Sequence, residues 1–243
     1  MSAASATESS IATQGVDLHP LLGLSPSSTL LSRALSSLAT AAGLDTTPAP
    51  QVKAYPDSVY YIYHPLGLSL VYHPTTSSYR PKTGTPLEGL DLQKLKLAQI
   101  DIYNHGARLE DPKSASGLKP PRPSALNPTY SPFPSFPILL RLPVVHSHES
   151  SATVRASPHF PLRPTTQGAD LVSKLGEPDR KGGGEGSMGV WTEWTSDGVL
   201  VEWASGGLQA WEKGAGAVWR CTSVFERGVV AGKLEGEAEE TEL

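Results

Sequence analysis

The chain has 243 residues, 38% of them hydrophobic and 18% charged, with 22 prolines and 23 glycines. That length can bury a substantial core, and the surplus of Pro and Gly points to an ordered core with irregular segments spliced into it. A formal net charge of -4 excludes a general attraction to nucleic acid or anionic lipid, and a single cysteine, Cys221, excludes an intramolecular disulfide and a cysteine-built zinc site.

Residues 1–16 are small and polar, lack the basic and apolar regions of a secretory signal, and are expected to be disordered. Ser25-Pro26 is a helix start signal. Leu30, Leu31, Leu35, Leu38 and Ala42 then recur at helical spacing, which predicts a helix over 26–42 stopped by Gly43. Residues 45–56 hold three prolines and read as a loop. A β-hairpin follows over 59–72, broken at His64-Pro65-Leu66-Gly67. After a second loop, 94–103 reads as a strand. Strict alternation there puts Leu95, Leu97, Gln99, Asp101 and Tyr103 on one side and Lys96, Ala98, Ile100 and Ile102 on the other.

Residues 105–137 are Pro-rich and read as an extended insertion. A short apolar strand is expected over 138–145, a loop over 146–164, and a second helix over 166–175 ended by Gly176-Glu177-Pro178. Residues 179–188 read as a Gly-rich loop. A second hairpin spans 190–203 around Asp197-Gly198, and strands are expected over 208–211 and 217–225. Residues 229–243 form an acidic tail. No apolar run approaches the roughly 20 residues of a membrane span. With the lone cysteine, this sets the expectation of a soluble, cytoplasmic protein.

The two hairpins align without a gap. Val59 falls on Val190, Gly67 on Gly198, and Tyr60, Tyr63 and Tyr72 fall on Trp191, Trp194 and Trp203. A helix precedes each. The alignment reads as an internal repeat, and it sets the expected fold: α+β, two tandem units, each a helix packed on an antiparallel β-sheet. The units span 17–104 and 138–228. With Asp197-Gly198 as a two-residue turn, Trp194 would face Val201. Val190, Thr192, Trp194, Val199, Val201 and Trp203 would form the core face. Trp191, Glu193, Thr195, Leu200, Glu202 and Ala204 would form a mixed face meeting solvent.

Chemistry is sparse. Lys181 to Gly186 is glycine-rich, but it leaves a helix and enters a strand, the reverse of a phosphate cradle. His146 and His148 are weak metal-ligand candidates, two ligands without a visible third, and no cofactor is called for. His64 and His73 flank the first hairpin, and their aligned counterparts in the second are Thr195 and Ala204. Glu193 and Glu202 would be cross-strand neighbours in that register and resemble a carboxylate pair, though on an exposed hairpin face the expectation is that they are solvated. Trp191, Glu193, Glu202, His64 and His73 are the candidate binding residues.

The order of short motifs resembles the N-terminal half of the phagosome assembly factor 1 family of eukaryotes. The motifs are Leu22-Gly23-Leu24, Leu66-Gly67-Leu68-Ser69-Leu70, and 97–103. They continue with Pro164-Thr165-Thr166, Leu175-Gly176, and 198–203. The repeat unit is similar to the fold of β-lactamase inhibitor protein, a binding module. The resemblance implies a protein-binding adaptor near autophagic or endomembrane processes, with any membrane association made through a protein partner. The alternative is a small-molecule-binding protein or enzyme with a site between the two sheets.

Overall fold

The computed structural model describes residues 15–104, 130–142, 157–183, 190–204 and 214–228. The expected strand at 208–211, the acidic tail, His146 and His148 lie outside the described residues, as does most of the Pro-rich insertion.

The first helix, α1 (Thr29–Ala41), buries Leu31, Leu35, Leu38 and Ala39 along one stripe. Gly43 ends it at φ +72, and the Leu44 amide reaches back to the Ala39 carbonyl. This is the Schellman closure that glycine permits. Four strands follow: β1 (Gln51–Ala54), β2 (Val59–Tyr63), β3 (Leu68–Pro74) and β4 (Leu95–Tyr103). Next come β5 (Ile138–Arg141) and β6 (His159–Leu162), then α2 (Gly168–Leu175). A capping box between Gln167 and Asp170 starts α2. The chain closes with β7 (Arg180–Gly182), β8 (Trp191–Trp194), β9 (Val199–Trp203) and β10 (Trp219–Phe225).

The expectation of two tandem helix-on-sheet units is overturned. Eight strands form one antiparallel sheet in the order β1-β2-β3-β4-β10-β9-β8-β7, beside a separate two-stranded sheet of β5 and β6. The protein is mainly β, with two α-helices among the described residues. The physical reason is the edge. A set ending at β4 and a set ending at β10 would each leave a row of unpaired backbone groups. Pairing Ile102 with Thr222 and Ile100 with Val224 satisfies both rows at once and merges the sheets.

Each hairpin is joined by four residues, not two. A 3-10 turn leads into a glycine at positive φ, His64–Leu66 into Gly67 and Thr195–Asp197 into Gly198. Trp194 therefore pairs with Val199 and Thr192 with Val201. The register is displaced by two residues, and because strand side chains alternate with period two, the core face survives the correction. A Cβ at Gly198 would run into the Phe225 carbonyl, and one at Gly67 into the Ser131 carbonyl.

One face of the large sheet belongs to the main hydrophobic cluster. Tyr61, Leu70, Ile100, Val224, Val199 and Trp194 join it from successive strands, with α1, α2, β5 and β6. Trp194 also donates its indole N–H to the Gly176 carbonyl at 2.9 Å, tying β8 to the end of α2. A register irregularity opposite Val71 and Tyr72 breaks the alternation of β4. Leu97 pairs with Tyr72 and Ile100 with Leu70, so Leu97 stands on the core face with Ile100 and not with Asp101. No helix among the described residues is long and apolar enough to cross a membrane.

Candidate functional site

The other face of the large sheet, the far face, carries the polar chemistry. A row in register runs across it: Ile62, Ser69, Asp101, Ser223, Leu200, Glu193 and Arg180. The next row holds Tyr103, Cys221, Glu202, Trp191 and Gly182.

Glu193 is not solvated. Its side chain is 1% exposed, Arg180 Nη1 lies 3.1 Å away, and the Thr195 hydroxyl donates to it at 2.7 Å. The cause is β7. The sequence places 179–188 in a loop, but Arg180–Gly182 pairs beside β8 and sets Arg180 directly opposite Glu193. The same guanidinium lies 5.7 Å from the centre of the Trp191 ring. Trp191 packs on Gly182, where a Cβ would stand 2.6 Å from the ring, so only glycine leaves room. Trp191 remains partly exposed. Glu202, at the middle of its row, pairs with Arg220 Nη2 at 2.7 Å.

Asp101 sits at the centre of the face. Its Oδ1 accepts from Gln99 Nε2 and from the Ser223 hydroxyl, both at 2.7 Å. Burial pushes its carboxyl above the ordinary 3.8, against these two hydrogen bonds, and the Glu202 charge adds to the rise. Beside it the Tyr103 and Tyr130 rings stack at 3.6 Å and 12°. The thiol of Cys221 is buried and held well above its ordinary 9.0 by burial and by Asp101 and Glu202, so it is a packed thiol and not a nucleophile.

The candidate histidines are not brought together. His64 stands at the hairpin turn, with Nε2 3.1 Å from Gln51 Oε1 and its ring 4.6 Å from that of Tyr130. Burial and then Lys53 lower its pKa. His73 stands at the other end of β3, opposite Lys96. Among the described residues no group of three or more His, Cys, Asp or Glu side chains could hold a metal ion.

The structure therefore gathers Trp191, Glu193 and Glu202 on one half of the far face and adds residues the sequence did not single out: Asp101, Gln99, Ser223, Arg180 and Tyr130. Part of the signal was available. Leu95 and Leu97 followed by Ile100 and Ile102 is the pattern a bulged strand requires, and it moves Asp101 to the opposite face. Residues at the end of the Pro-rich stretch belong to the fold as well. Phe133 is buried, and the Phe136 ring packs edge-on against Trp219 at 6.1 Å.

No protein-family model, no curated protein and no solved structure matches this chain.

Proposed function

We propose that this chain is a non-catalytic recognition module that binds another protein through the far face of its sheet, at the half bounded by β7. The observation that carries the reading is the Trp191–Arg180 pair. A partly exposed indole with a guanidinium over its ring, seated beside an edge strand, has the composition of an interface anchor. The surrounding charges are engaged in holding that surface: Glu193 fixes Arg180, and Arg220 fixes Glu202. Such a surface is preorganised, which lowers the ordering cost of binding. The resemblance to the phagosome assembly factor 1 family supports a cytoplasmic role near autophagic or endomembrane processes, with membranes reached through the partner. The alternative, a small-molecule or catalytic site between two sheets, is less supported, because the two hairpins expected in separate sheets share one.

The test is affinity capture from cytoplasmic extract with wild-type protein and the Trp191→Ala variant, followed by reconstitution with the purified candidate. A stoichiometric binary complex that Trp191→Ala weakens by roughly thirtyfold or more is the expected result. Circular dichroism would establish that the variant is folded. Turnover of a hydrolase substrate panel that Asp101→Asn abolishes would overturn the reading in favour of an enzyme.

A further inference from the structure

The far face carries three carboxylates, and the fold treats them differently. Glu193 is paired with Arg180 and Glu202 with Arg220. Asp101 has no cation among the described residues. Two neutral donors hold Oδ1, and among the described residues Oδ2 has no hydrogen-bond partner. A carboxylate set into a sheet face is costly to ionise unless it is paired, and neighbouring Glu202 adds to that cost.

We propose that Asp101 Oδ2 receives a basic side chain, arginine in preference to lysine, from the protein partner proposed for this face; the inference rests on that reading. Charge complementarity selects the occupant. The centre of the face is negative, and among the described residues it lacks the guanidinium that each of the other two carboxylates has. The stacked Tyr103 and Tyr130 rings supply an aromatic wall beside it. The Arg180–Trp191 pair is this face's own example of a guanidinium held between a carboxylate and a ring. Arginine fits better than lysine because its plane stacks on aromatic rings while its edge meets the carboxylate.

The probe is N-acetyl-arginine methylamide, titrated into the full chain while the Asp101 carboxyl carbon is followed by NMR. The lysine and citrulline analogues serve as comparisons. Arginine should give a saturable shift, lysine a weaker one and citrulline none. Asp101→Asn keeps an oxygen for Gln99 and Ser223 and, followed at the carboxamide carbon that replaces the carboxyl carbon, should show no arginine response. An equal response to citrulline in wild-type protein would overturn the assignment without any variant, as would an arginine response that survives in Asp101→Asn. A second arm uses the reconstituted complex, where Asp101→Asn should weaken binding by roughly thirtyfold. If Trp191→Ala destroys that complex while Asp101→Asn leaves its Kd unchanged, this assignment falls and the binding reading stands. If neither substitution changes it, both fall.

Discussion

Replacing Glu193 by alanine tests the register of the whole β7 side of the sheet. The side chain is 1% exposed and makes two contacts, to Arg180 and to the Thr195 hydroxyl. Hydrogen bonds to a charged group contribute about 1.5–3 kcal/mol, and a lost buried methylene about 0.8 kcal/mol more. Removing the carboxylate also removes its desolvation cost, which offsets part of this. The expected loss for Glu193→Ala is therefore about 2–3 kcal/mol. Arg180→Ala leaves the carboxylate buried with only a hydroxyl. Breaking a fully buried pair costs about 3–5 kcal/mol, but the Arg180 side chain is 46% exposed and water can follow its removal, so about 2–3 kcal/mol is expected. The double variant should lose less than the sum, with a coupling of about 1–2 kcal/mol. Urea melts followed by tryptophan fluorescence measure all three. A solvated Glu193, which simple alternation implies, would cost under about 0.5 kcal/mol in either single variant. That result would refute the pairing of β7 with β8.

Gly67→Ala and Gly198→Ala should each cost more than about 2 kcal/mol, because each must hold a left-handed backbone and also displace a carbonyl; Gly84→Ala, left-handed at φ +79 with nothing near its Cβ, should cost only about 1–2 kcal/mol in the same urea melts. Tyr72→Phe should be neutral or stabilising by up to about 1 kcal/mol, since its buried hydroxyl has no partner among the described residues; a marked loss of stability would mean that hydroxyl is satisfied. Burial lowers the pKa of His19 against the opposing pull of Asp17, and the Arg141 and Arg227 charges lower it further. A lowered folded pKa means the unfolded chain binds the proton first, so stability is full above about 6.5 and falls as pH drops below it; urea midpoints at successively lower pH should decline in wild type and decline less in His19→Gln.

The sequence carried the local half of the fold. Leu31, Leu35 and Leu38 mark α1 by spacing, Gly43 marks its end, and Gly67 and Gly198 mark the hairpin turns, because each of these is decided within a few residues. Burial of Trp194 and Trp203 was equally legible from alternation. What period and propensity do not hold is recruitment. Gln51–Ala54, His159–Leu162 and Arg180–Gly182 have no strand signature of their own. Each becomes a strand because a neighbour presents an unsatisfied edge. The merger through β4 and β10 is the same effect on a larger scale, and it replaces two expected sheets by one.

That difference explains why the candidate site was only half visible. Trp191, Glu193 and Glu202 sit on one hairpin, where local alternation places them on one face. Whether that face is wet depends on Arg180, and hence on a strand that exists only in the folded sheet. Asp101 is further from reach. Its side-chain donor Ser223 lies 122 residues away, and the two meet only because β4 pairs with β10 in one register. A shift of one residue in that pairing would turn Ser223 to the core face and leave the carboxylate with Gln99 alone. Its chemistry is therefore a property of the merged sheet: a carboxylate at the centre of eight strands, anchored through one oxygen, with no cation on it among the described residues.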